Sequence, residues 1–353
     1  MSIPVYKPYL GEEEKEKLNA VVESGWLSSE GEETEEFERR LREFLDVEHG
    51  IATDSGTAAL HAALEAVSVE GKKVIVPGLT FGATAEAVLQ AGGKPAVVDI
   101  EEENLSIDPE ELEKCIDSEV AAVVIVHMFG RIGDIERVKE ISEKNGAKVV
   151  EDAAQAFGSS YNDQMAGTLG DIGAFSFSWN KTITTGKGGF VATDDEELGE
   201  KIESFVTNGS VEGRKFNARG FNYRLDSIRA SIGNSQLDRF EEISERKREI
   251  FDRYKRELSG LKGIEAPDIH EETETWAYHL TVENKKSLRE KLEEEGIDTR
   301  DSYTPLTELG IVQSEKELPV TRRISEKGLM LPSYPGLKDD QVDEVVNKIQ
   351  DTL

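Results

Sequence analysis

The chain has 353 residues, 72 of them acidic and 42 basic, for a net charge of −30. That length supports a large core and suggests two domains, and an apolar content of 37% argues against disorder. So acidic a surface repels nucleic acid and anionic membrane, which removes both from the expected partners.

The start, Met1-Ser2-Ile3-Pro4, lacks the basic and apolar regions of a secretory signal, so a cytoplasmic location is expected. Helical patterns cover Glu12–Ser24 and Thr34–Leu45. Their acidic runs, like Glu101–Glu103 and Glu293–Glu295, read as solvated faces. Acid dispersed over an ordinary core leads to the hypothesis of adaptation to high salt, where self-repulsion is screened. A protein fully folded in dilute buffer would remove its support. Ser55-Gly56-Thr57 then opens an alanine-rich helix, with Ser55 as the N-cap.

Strands are expected at Lys73–Val76, Pro95–Val98, Val120–Val126, Lys148–Val150, Ala174–Phe177 and Gly189–Ala192, with helices between the first four. The longest apolar run, Val120–Phe129, is interrupted by His127 and fits a buried strand rather than a membrane span. The single cysteine, Cys115, excludes an internal disulfide. Asp226–Leu258 reads as a long amphipathic helix or a pair. Thr275–Val282 follows as a strand, with helices at Lys286–Glu295 and Gln341–Asp351. The pattern predicts an α/β fold, with a mostly parallel sheet in a large domain (residues 1–245) and a smaller C-terminal α+β domain (246–353).

Ligands of such sheets sit outside the carboxyl ends of the strands. Lys181 follows the strand pattern Ala174–Phe177 and precedes the turn Gly186-Lys187-Gly188-Gly189, a position from which an amine can form a Schiff base. A surface lysine in a hairpin would look the same. The helix start at Gly56 and Thr57 suits a phosphate, although a plain N-cap reads alike. Asp152, after the strand Lys148–Val150, could serve a metal, a ribose or a pyridine nitrogen. No cluster with metal-ligand spacing accompanies it. Gln155 can donate to a phenolic oxygen, and Phe81 can stack on a flat ring or belong to the core. Jointly they describe a site for pyridoxal 5′-phosphate (PLP): phosphate cradle, stacking ring, acid for the ring nitrogen and Schiff-base lysine.

The chain resembles the DegT-type sugar aminotransferases, PLP enzymes of fold type I, and among them the GDP-perosamine synthase-like members. The resemblance lies in Ile3–Leu10, Ser24–Ser29, Ser55–Thr57, Val76–Phe81, Val126–Gly130, Glu151–Ala156, Phe175–Gly189 and Phe221–Asp226, and more loosely in Trp276–His279 and Gly296–Leu306. It implies that Lys181 carries the cofactor and shuttles the proton, Asp152 pairs with the pyridinium, Gln155 holds the phenolic oxygen and Phe81 stacks on the ring. Gly56, Thr57 and Ser176 would bind the phosphate. Asn222, with Arg224, would reach that phosphate from a neighbouring subunit, which makes a homodimer, or a higher homo-oligomer, the expected state. The implied reaction moves the amine of L-glutamate, which leaves as 2-oxoglutarate, to the ketone of a nucleotide-linked 4-keto-6-deoxy sugar. Trp26, His127, Arg224, Tyr303 and His279 are candidate sugar-nucleotide neighbours, with core or interface places fitting as well.

Two positions depart from the family pattern: Lys187 stands where Glu is common, and Thr307 where His is common. Rival expectations are amination of a 3-keto sugar or a cyclitol, a dehydratase, and a non-catalytic regulatory or binding protein on the same scaffold. The presence of Lys181 argues against a dehydratase, and Lys181 with Asp152 argues against the regulator.

Overall fold

The computed structural model describes residues 2–211, 215–216, 218–267, 273–312, 314 and 316–353. Its centre is a seven-stranded sheet: β1 His49–Thr53, β2 Lys73–Pro77, β3 Lys94–Val98, β4 Val120–Val126, β5 Lys148–Asp152, β6 Ile172–Ser176 and β7 Gly189–Thr193. The order across it is β1-β7-β6-β5-β4-β2-β3. Only β7 runs antiparallel to its neighbours, so the sheet is mostly parallel. β4, Val120-Ala121-Ala122-Val123-Val124-Ile125-Val126, is apolar throughout because both faces are covered. On one face lie the helices Gly56–Ala66, Ala83–Gln90 and Glu196–Val206; on the other lie Glu32–Leu45, Pro109–Cys115 and Ile135–Lys144.

Alternation along the strands decides which residues share a face. Val150 of β5 and Ile172 and Ala174 of β6 enter the core under helix Gly56–Ala66. Val149 enters the opposite core with Val138 and Ile141. Asp152 and Ser176, two positions on from Val150 and Ala174, therefore emerge on the face of helix Gly56–Ala66.

A second sheet contains β8 Ile264–Glu265, β9 Tyr278–Val282, β10 Arg300–Asp301 and β11 Gly328–Leu331, in the order β8-β9-β11-β10 and antiparallel throughout. Helices Phe240–Leu258, Lys285–Glu294 and Asp339–Thr352 pack on it. The N-terminal segment joins this core through Ile3, whose N–H donates to the Gly296 carbonyl at 2.8 Å. Helix Phe240–Leu258 serves both cores, Ile243 in the larger and Ile250, Phe251, Tyr254 and Leu258 in the smaller, and runs unbroken through residue 245. The amphipathic stretch from Asp226 is two helices, Ser227–Asp238 and Phe240–Leu258, separated at Arg239. The expected strand at Thr275 begins only at Tyr278. Among the described residues, no helix is long and apolar enough to cross a membrane.

Candidate active site

The carboxyl end of β5 splits two acids between two faces. Glu151 turns toward the Val149 side, where His127 Nε2 lies 2.8 Å from its Oε2 and the N–H groups of Gly167 and Gly170 donate to it at 2.7 and 2.5 Å. Asp152 turns to the other face, beside Lys181. Its Oδ2 accepts from the Thr84 hydroxyl at 2.8 Å and its Oδ1 from the Ala154 N–H at 3.2 Å. Burial pushes the Asp152 carboxyl up, while these two donors and the charges of Lys181 and His127 act against the rise.

Lys181 rides on a loop folded onto itself between β6 and β7. Its N–H donates to the Ser178 carbonyl at 3.0 Å, and the Thr184 and Thr185 hydroxyls both donate to the Phe177 carbonyl. Thr182, Ile183, Thr184 and Thr185 are buried and anchor the loop, leaving Lys181 half-buried. Desolvation lowers its ammonium pKa to about 8, with the Asp152 charge opposing the fall. An amine with that pKa can hold or release a proton near neutrality. The Trp276 ring lies 4.4 Å from Nζ.

Ser176 and Gly189 pair across β6 and β7 directly beneath the start of helix Gly56–Ala66. A Cβ on Gly56 would fall 2.6 Å from Ser176 Cβ, and one on Gly189 would fall 2.5 Å from the Ser55 carbonyl oxygen. Only glycine permits this approach. Ser55 Oγ accepts from the Ala58 N–H at 3.3 Å, while the amides of Gly56 and Thr57, at the helix start, have no intrahelical acceptor. This amide-lined concavity, with hydroxyls from Thr57 and Ser176 beside it, is suited to a phosphate.

Gln155 accepts from the Phe129 N–H at 2.9 Å through Oε1 and donates from Nε2 to the Tyr303 hydroxyl at 3.3 Å. Burial and the Asp152 charge push the Tyr303 phenol up, so it stays protonated. Phe81 presents an apolar ring that is 61% exposed, edge-on to Tyr303 at 6.1 Å. The structure thus brings Asp152, Gln155, Tyr303 and Phe81 together, with Lys181 close enough to Asp152 for each charge to shift the other.

Other expected residues fall elsewhere. His127 is fully buried between Glu151 and the Gly133 N–H, and offers no surface to a sugar nucleotide. His279 is likewise buried, stacked on Phe129 at 4.2 Å, and burial holds its imidazole neutral. Trp26 is 64% exposed and borders a surface cleft with Glu30, Glu32 and Ser227, away from the Lys181 lining. Arg224 faces Glu38 at 4.0 Å, in a cleft with Arg42 and His49, and Asn222 is exposed. Lys187 lies on the surface 3.7 Å from Asp54, so its charge is partly balanced within the chain. Thr84, Tyr6 and Trp276 also belong to the site. Thr84 carried a legible position, three residues after Phe81 at a helix start, but no chemistry that marks it.

Replacing Glu151 by alanine leaves the buried His127 ring and the N–H groups of Gly167 and Gly170 without their acceptor. The expected cost is roughly 3–5 kcal/mol. Thermal melting of the apo protein should show a clear drop in Tm, and an unchanged Tm would contradict this role.

The mostly parallel sheet, with the lysine and the buried acid together at its strand ends, is the arrangement expected of a PLP-dependent aminotransferase. The chain belongs to the DegT/DnrJ/EryC1/StrS aminotransferase family, whose signature matches residues 8–350. It is 34% identical over 364 residues to a GDP-perosamine synthase of Vibrio cholerae, covering 99% of this chain and 98% of that one. It is 32% identical to a UDP-N-acetyl-3-dehydro-alpha-D-glucosamine 3-aminotransferase of Acidithiobacillus ferrooxidans, over 87% of this chain and 85% of that one. The solved structure of Helicobacter pylori PseC, an aminotransferase involved in the biosynthesis of pseudoaminic acid, superposes with a TM-score of 0.95. It covers 100% of this chain and 99% of that one at 26% identity. The protein is therefore a PLP-dependent sugar aminotransferase of this family.

Proposed function

We propose that the protein moves the amine of glutamate to C4 of a nucleotide-linked 4-keto-6-deoxy sugar, with a GDP-linked sugar as first candidate. The observation that carries this reading is the placement of Lys181 and Asp152 in each other's field at the ends of β5 and the loop after β6. The likeness to the Vibrio cholerae GDP-perosamine synthase supports the choice of sugar. PLP, when bound, supplies the electron sink for cleaving the bond to hydrogen at the carbon bearing nitrogen. Lys181 Nζ would hold the cofactor's aldehyde carbon and would carry that proton, with a pKa near 8 that allows both directions. Asp152 would hold the proton on the ring nitrogen, Gln155 Nε2 would donate to the phenolic oxygen, and Phe81 would cover the ring. Gly56, Thr57 and Ser176 would bind the phosphate.

Residues 1–245 form the cofactor-binding unit in this reading and 246–353 the smaller one. Two chains assemble so that Asn222 of one reaches the phosphate held by the other. Light scattering should then give twice the chain mass, and a monomer with full activity would contradict it.

Alanine in place of Gly56 puts a methyl group into the cradle, where overpacking costs roughly 1–3 kcal/mol. PLP affinity should fall about ten- to hundredfold. Spectrophotometric titration of the apo protein measures this, and unchanged affinity would remove the cradle from the site. The likeness to the 3-aminotransferase of Acidithiobacillus ferrooxidans supports a second reading, amination at C3. Incubation with glutamate and a panel of GDP-, UDP- and dTDP-linked 3- and 4-keto sugars separates the two. The expected product is a 4-amino sugar with equimolar 2-oxoglutarate. No product from any 4-keto sugar would end the first reading.

A further inference from the structure

Trp276 is more than a core side chain. The residue is 4% exposed, and its ring is fixed by several contacts. The indole N–H donates to the Asn180 carbonyl at 2.6 Å, and the ring stacks on Tyr6 at 5.2 Å and on Phe129 at 6.2 Å. Its backbone carbonyl accepts from Lys247 Nζ at 2.9 Å. Asn180 directly precedes Lys181, and the Lys181 ammonium lies 4.4 Å from the indole centroid. One side chain therefore grips the backbone before the lysine and faces its amine. Hydrophobic packing alone requires neither contact.

We propose that Trp276 is the positioning residue for Lys181: its ring receives the ε-ammonium whenever that amine is not covalently engaged, and its N–H fixes the loop that aims it. This rests on the reading of Lys181 as the cofactor-linked amine. A free ammonium beside the sheet has lost much of its hydration, and the negative face of an indole is a partner that leaves the nitrogen unbonded and ready to react. Among the described residues, the charged groups that share this lining with Lys181 are Lys7 on the N-terminal segment and Lys247 on helix Phe240–Leu258, whose Nζ is engaged by the Trp276 carbonyl. The charge that acts on the Lys181 ammonium is Asp152 on β5, which favours it. The ring adds to the favourable side without placing a second negative charge beside the cofactor.

The test uses the full-length protein loaded with pyridoxamine 5′-phosphate, in which Lys181 is free. Acetylation of the Lys181 peptide is followed by mass spectrometry across the pH range, and its midpoint reports the ammonium. Trp276→Leu removes the ring face and is expected to lower the midpoint by about one pH unit, whereas Trp276→Phe keeps a face and shifts it less. Since Trp276→Leu can also disturb packing, site-specific replacement of Trp276 by fluorinated tryptophans supplies the shape-preserving series. The midpoint should fall stepwise as fluorine drains the ring of negative charge. A midpoint that stays in place through that series overturns the proposal. Borohydride reduction of the PLP-loaded wild-type protein tests the underlying reading separately. A label on another lysine would sink that reading, while the titration would still report whether the indole holds the amine.

Discussion

Lys181→Ala is expected to abolish transamination, with kcat falling by about 10⁴-fold or more, because the same nitrogen supplies the covalent link and the proton carrier. The fold should survive. Lys181 is only half-buried, and its loop is held by Thr182, Ile183, Thr184 and Thr185 rather than by its own ammonium. The informative comparison is therefore activity against melting temperature: activity lost, Tm nearly kept. The pH dependence has a definite sign. Desolvation has lowered the pKa of this base, so the neutral amine is scarce well below pH 8 and dominant above it. A step that needs the neutral amine should speed up about tenfold per pH unit below that point and level off above it. Substantial turnover by Lys181→Ala would remove the lysine from the chemistry.

Asp152→Asn carries the second large effect. The carboxylate is buried, and among the described residues only the Thr84 hydroxyl and the Ala154 N–H donate to it within hydrogen-bond reach. A charge kept ionised there against desolvation can hold a proton on a pyridine nitrogen opposite it. Asparagine has nearly the same shape but no charge, and its single oxygen cannot accept both donors in place. The expected loss in kcat is about 10²–10³-fold, in the range seen when a preorganised electrostatic partner is removed. PLP should still bind, because Gly56, Thr57, Ser176 and Lys181 are untouched. Stopped-flow measurement of each half-reaction separates these outcomes. Loss of binding without loss of rate would place Asp152 outside the ring-nitrogen role.

Much of this arrangement is legible in the sequence because strand ends are local. Lys148–Asp152 shows its two acids after two valines, and the period of two tells them apart once one face is assigned. The motifs at Ser55–Thr57, Phe81, Asp152–Gln155 and Lys181 each follow a strand or open a helix, so sequence order already places them at the same sheet edge. What is not legible comes from distant segments. Tyr6 reaches Trp276 from the N-terminal arm, and Trp276 reaches Lys181 from the approach to β9. Nothing in the sequence near Lys181 announces either. β1 is not legible because His49-Gly50-Ile51-Ala52-Thr53 is short and begins with a histidine and a glycine; it becomes a strand through pairing with β7. Helix Pro319–Lys327 and β11 are hidden for a related reason. The helix places only Thr321 and Ile324 in the core, too few to mark a period, and β11 is fixed by pairing with β9 and β10. The long stretch from Asp226 breaks at Arg239 with neither glycine nor proline to mark it.

The most direct measurement is peptide mapping after borohydride reduction of the PLP-loaded protein. Reduction should fix one cofactor per chain, with the added mass on the peptide containing Lys181 and none on those containing Lys187 or Lys247. Cofactor fixed to either of those lysines, or a loaded protein that reduction leaves unlabelled, would contradict the assignment of the reacting amine.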